Sequence, residues 1–165
     1  MSRAMSSILA ALVTLGCHSP SSSPAAVSEG PARAEESGQS EHHAAMRAIL
    51  AADTAISGQR DKDPRAMALS VAIERYVEGL EALDYSACPA DFARGFQAHR
   101  AAWMEMGTYL ESFGILRGEM HDLFRQIDRE DNPTVAEFRR LHGAIFSTWA
   151  LVDQALADSG YVQQN

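Results

Sequence analysis

The chain has 165 residues, 46% of them hydrophobic and 7% aromatic, which suits one domain with appendages. Its formal net charge is −8, Lys62 is the only lysine, and no basic stripe is present, so a nucleic-acid partner is not expected. Val, Ile and Thr are scarce beside Ala, Leu, Met, Glu and Arg, a balance that favours helices over strands.

Met1 to Arg3 is a short positive start, and Met5 to Leu15 is an apolar run too short to span a bilayer as a stable helix. The run ends in Val13-Thr14-Leu15-Gly16-Cys17, which resembles a bacterial lipobox, with Thr14 departing from the usual leucine. Residues 1–16 are therefore expected to be a signal peptide, whose loss would take Arg3 and leave a net charge of −9. The Cys17 thiol would carry a diacylglycerol and its freed amino group a further acyl chain such as palmitate, and two or more chains give stable anchoring. The alternative is an ordinary secretory signal cut near Pro24-Ala25-Ala26. His18 is not the aspartate that tends to hold lipoproteins in the inner membrane, so the outer membrane is favoured over the inner within the cell envelope. Residues 17–40 then form the lipidated cysteine and a tether, rich in Ser, Pro, Ala, Gly and Glu and without apolar period.

Residues 41–165 are expected to form the folded domain. A first helix over about 41–57 carries Met46, Ile49, Leu50 and Ile56 and stops at Gly58. Asp63 as N-cap and Pro64 at the first turn predict the start of a second helix, with Leu69, Ile73, Tyr76, Leu80 and Leu83 on one stripe. Pro89 and Asp91 start a third, with Phe92, Phe96, His99, Trp103 and Leu110 along one face. A straight helix from 89 to 130 would run about 60 Å at ~1.5 Å per residue, so a break is expected near Gly114, followed by Leu116, Met120, Leu123 and Ile127 facing inward. Asn132-Pro133-Thr134 opens the last helix, with Thr134 and Glu137 placed for a capping box. Its stripe is Phe138, Leu141, His142, Ile145, Trp149, Val152 and Leu156, and Gly160 with Tyr161 suggests a Schellman ending. These stripes predict an all-α fold, an antiparallel helical bundle of four helices, or five if the third is broken.

With Cys17 lipidated, Cys88 has no partner within the chain; it reads as a small capping residue, or as a reactive thiol if a helix N-terminus lowers its pKa. No CxxCH is present for haem c, and the ends of the bundle that carry Met46 and His142 are expected to lie opposite, which disfavours a haem held by that pair. His42 and His43, His121 beside Glu119 and Asp122, and Met104, Met106 and Met120 are weak metal candidates, and no cofactor or metal is implied. Glu74, Glu78 and Glu81 read as a solvated face. His99 and His142 lie on apolar stripes with Trp103 and Trp149, so they form either a ligand-lining or pH-sensitive region or a satisfied core.

The stretch from Cys88-Pro89-Ala90-Asp91-Phe92 through His99 and Trp103, and the ending with Thr148-Trp149 and Gly160-Tyr161-Val162, are similar to a CPxDF…H…W pattern. The pattern resembles an uncharacterised family of small bacterial secreted or lipid-anchored helical proteins, from which this chain departs at Gly95, Asp153 and Leu156. The resemblance implies a unit joining the third and last helices and no particular activity. The expected function is that of a non-enzymatic binding or interaction module of the envelope, bound to the membrane through its lipid and to a protein partner that the sequence does not name. The alternatives are a small-ligand or cofactor carrier using the His/Trp region and, third, an enzyme.

Overall fold

The computed structural model describes residues 31–130 and 134–162, with side chains from Gly38 onward and, in the last helix, from Val135. The expected signal peptide, Cys17 and the tether up to Gly30 lie outside the described residues, as do Asn132, Pro133 and the side chain of Thr134. Among the described residues the chain forms five α-helices: α1 (Pro31–Arg60), α2 (Leu69–Glu81), α3 (Ala90–Glu111), α4 (Met120–Asp128) and α5 (Thr134–Asp158). A short 3₁₀ turn, Asp63–Arg65, precedes α2. The fold is the all-α bundle expected, in its five-helix form.

The bundle is organised around α3. Ile73 and Tyr76 of α2 lie beside Gly107 and Trp103 of α3, so the two helices run antiparallel. Tyr109, Glu105 and His99 of α3 meet Phe138, Arg140 and Ile145 of α5 in reverse order, so that pair is antiparallel too. The inward stripes of α2, α3 and α5 close one core in which Phe92, Phe96, Phe138, Leu69, Ile73, Leu80 and Met106 are fully buried. Burying a side chain of this size contributes about 1.5–3 kcal/mol. The third helix is indeed broken: α3 ends at Glu111, Gly114 takes a φ of +70°, and α4 then buries Met120, Leu123 and Ile127.

Two boundaries differ from expectation. Pro64 does not open α2. It sits buried in the 3₁₀ turn, its carbonyl accepts a hydrogen bond from Gly118 N–H (2.9 Å), and Leu69 N–H donates to Leu116 O (2.9 Å). These bonds tie the α1–α2 connection to the α3–α4 loop, and Arg65 adds an ion pair to Glu119. The first helix also begins at Pro31 and runs through Gly58, so residues 31–40, expected as tether, are helical. Ala, Glu, Arg and Gln in that stretch are good helix formers, and extending a helix already docked at Met46 and Ile49 needs no new nucleus.

The far end of α5 closes as the sequence suggests. Tyr161 N–H donates to Leu156 O (3.1 Å), Gly160 N–H to Ala157 O (3.0 Å), and Gly160 has a φ of +69°. This is a Schellman cap, in which glycine accepts the left-handed turn without a Cβ penalty. The cap meets the start of the domain: Ser159 O lies 3.3 Å from Gln39 Nε2 and 3.0 Å from His43 Nε2, and the Tyr161 ring stands edge-on to His43.

Candidate functional site

The three- and four-residue steps of Phe92, Phe96, His99 and Trp103 put His99 on the buried face of α3, where it is 5% exposed. Opposite, α5 approaches closely because residue 95 is glycine: a Cβ there would lie 3.1 Å from Val152 N and 3.3 Å from Leu151 C. A glycine here, a poor helix former inside α3, thus has a packing reason.

His99 is fully engaged. Its Nδ1 lies 3.2 Å from Ile145 O and 3.2 Å from Thr148 Oγ1, and its Nε2 lies 3.0 Å from Trp103 Nε1. An indole N–H can only donate, so Nε2 is the acceptor and the proton sits on Nδ1, from which it donates to α5. A second proton on Nε2 would face the indole N–H directly. Burial is the main force holding the imidazole neutral and lowers its pKa from 6.5 to about 4; Arg60 pushes the same way, and the Ile145 carbonyl pulls against both. Trp149 stands edge-on to His99 at 5.1 Å and to Phe96 at 5.8 Å, so the Trp-bearing stripes of α3 and α5 meet in one core.

A second polar group adjoins this one. Tyr76 Oη donates to Asp53 Oδ1 at 2.8 Å, and Asp53 is 7% exposed. Burial raises the Asp53 pKa, while the Tyr76 hydrogen bond and Arg60 act to lower it. Burial, the Asp53 charge and the same hydrogen bond push the Tyr76 hydroxyl up, so it stays a donor. The Arg60 guanidinium lies 4.5 Å from the Tyr76 ring centre and 4.2 Å from that of Trp103, and Asp61 holds it with bonds of 3.0 and 2.8 Å. Such stacking contributes about 0.5–2 kcal/mol. Asp53, Tyr76, Arg60, Trp103 and His99 thus link α1, α2 and α3 to α5 through polar contacts. Among the described residues no buried side-chain nitrogen or oxygen lacks a partner.

His142 does not join His99 directly. It is half-buried, among Phe124 (5.5 Å), Phe138 (5.5 Å) and the exposed Phe146 (5.0 Å), with Phe124 also 6.4 Å from Trp103. Burial lowers its pKa and Asp128 opposes that. Cys88 is a half-buried free thiol packed against the core. It precedes the Pro89 cap, and burial, then Asp84, raises its pKa, the reverse of the activation considered from sequence. Met106 and Met120 are core residues, whereas Met104 is exposed. His121 does reach Glu119, at 3.9 Å, because Glu119 caps α4 from outside the helix. Among the described residues no group of three or more His, Cys, Asp or Glu side chains could hold a metal. Met46 adjoins Ser159 at the end of α5, far along that helix from His142.

Comparison with protein-family models, curated proteins and solved structures finds no match to this chain. Sequence reasoning passed over Asp53 and Arg60. A signal for Asp53 was present: it stands four residues after Ile49 and three before Ile56, an acid on an apolar stripe. Arg60 lies beyond the glycine expected to end the helix, so its reach over two aromatic rings had no visible sign.

Proposed function

We propose that this chain is a bacterial envelope lipoprotein, anchored through acylated Cys17, whose helical domain acts by binding a partner and catalyses no reaction. What carries the preference for binding is the use made of the most chemically capable side chain. Both nitrogens of His99 are committed to Trp103 and to α5, so it has no free lone pair with which to act as a base or hold a ligand. The same commitment weighs against a carrier using the His99 region. No helix among the described residues is long and apolar enough to cross a membrane, so attachment in this reading falls to the lipid on Cys17, in the outer membrane ahead of the inner.

The test is expression of the full chain in a bacterium, detergent phase partition, and mass analysis of the N-terminal peptide, with photocrosslinkers placed on exposed helix positions. The wild type should enter the detergent phase with acyl mass on Cys17, Cys17→Ala should do neither, and crosslinks should fall on a protein partner. A soluble wild type with unmodified Cys17 overturns the anchor, and a turnover activity abolished by His99→Gln overturns the binding role.

A further inference from the structure

The α2 and α3 helices leave a groove of about 250 Å³ between them on the surface. Its accessible apolar lining is Val77, half-buried, and Met104, 54% exposed, over a floor formed by the buried Ile73. Its acidic lining is Glu74, Glu78 and Glu111, and no basic side chain borders it. None of the three side-chain carboxylates has an ion-pair or hydrogen-bond partner among the described residues; Glu78 and Glu111 accept hydrogen bonds only at their backbone carbonyls. Glu74 and Glu78 are four apart on one helix, where like charges repel.

These features restrict the occupant. A purely apolar ligand would strip water from three carboxylates and return nothing. A simple cation would leave the Met104 thioether and the Val77 side chain in water. Met is unbranched and adapts to varied apolar surfaces. From Ser70 to Glu78 the α2 wall runs about 12 Å at ~1.5 Å per residue, the length of two helical turns. We propose that the α2–α3 groove binds a basic amphipathic segment of a partner protein, its apolar side chains against Val77 and Met104 and its Lys or Arg groups beside Glu74, Glu78 and Glu111. This inference rests on the reading that the domain works by binding, and it names the chemistry of the partner.

The probe is a fluorescent twelve-residue Leu/Lys amphipathic helix, with a Leu/Glu peptide of the same pattern as control, titrated with the full chain and followed by anisotropy. The Leu/Lys peptide should bind and the Leu/Glu peptide should not. The double variant Glu74→Gln, Glu78→Gln should weaken binding at least tenfold, and Met104→Ser several-fold. Neutralising two acids on α5, Asp153→Asn with Asp158→Asn, should change it less than twofold. Equal losses from the α2 and α5 doubles would mean general attraction to an acidic surface and overturn the groove. Loss on removing the glutamates with none on Met104→Ser, and displacement by spermidine, would mean a cation site and overturn the peptide. Absence of Leu/Lys binding overturns the proposal as well. In each of these cases the wider reading stands or falls separately, on acylation of Cys17 and on crosslinks at other faces.

Discussion

His99→Gln separates the titration of the imidazole from its hydrogen bonding. A glutamine carbonyl can still accept the Trp103 indole N–H, but it takes up no proton. In the wild type the folded pKa is about 4 against 6.5 in the unfolded chain. A histidine depressed in this way is protonated first in the unfolded chain, so stability is full above about pH 6.5 and falls as pH drops towards 4. With the ring 5% exposed, the whole gap corresponds to about 3 kcal/mol at ~1.36 kcal/mol per pH unit. By pH 5 about 2 kcal/mol of it should already be gone. Asp53, with its raised pKa, works the other way at lower pH, because the folded state then takes up the proton first. The range from pH 7 to 5 therefore avoids Asp53, and the loss that remains in His99→Gln there belongs to His142, whose pKa burial also lowers. Urea denaturation followed by far-UV circular dichroism at pH 7, 6 and 5 should show the wild type losing about 2 kcal/mol and His99→Gln losing clearly less. At pH 7 the variant should lie about 1 kcal/mol below the wild type, for the bond from Nδ1 to Ile145 O. Parallel pH curves for the two proteins, or a His99 ring titrating at or above 6.5 by NMR, would refute the reasoning.

Trp103→Phe removes the only hydrogen bond to His99 Nε2 among the described residues and weakens the stack under Arg60; it should cost about 1–3 kcal/mol in a denaturant melt, and the His99 pKa measured by NMR should rise. Gly95→Ala sets a methyl against the Val152 backbone at 3.1 Å and should destabilise by about 1–3 kcal/mol despite its better helix propensity. Gly143→Ala, with nothing within 4 Å of the new Cβ, should instead gain about 0.5–1 kcal/mol; a gain at Gly95 in the same thermal melts would show that α3 and α5 can separate freely.

The parts of this fold legible in the sequence are those where one local signal decides the outcome. The break after α3, the inward stripe of α4 and the Schellman end at Gly160 each follow from glycine placement and helical period. Pro64 departs from the expected helix start because its sequence cue is local while its role is tertiary: it is buried and offers its carbonyl to Gly118, more than fifty residues on. The early start of α1 escaped because a missing apolar stripe reports on burial, not on whether a polar, Ala-rich segment can prolong a helix docked further along. In the site, spacing placed His99, Trp103 and Trp149 on facing stripes, and they meet. It also placed His142 among the largely buried residues, whereas the structure leaves it half-exposed at the edge of the α5 face beside Phe146. Which nitrogen of His99 would hold the proton was beyond the sequence, since it depends on a donor from α3 and acceptors from α5.

The contacts of Ser159 with Gln39 and His43 span 120 and 116 residues, so the described chain returns almost to its own beginning. In topological terms the bundle is close to a ring whose seam lies between the Schellman cap and the first turns of α1 that carry described side chains. The position of the cut is then a matter of synthesis, not of packing. The entropy of closing a loop grows only slowly with its length, so most of the cost of bringing these distant ends together would fall on a chain half as long as well. The helices could be rejoined across the seam by a short linker and reopened at the exposed Ser86–Ala87 turn with their interfaces preserved.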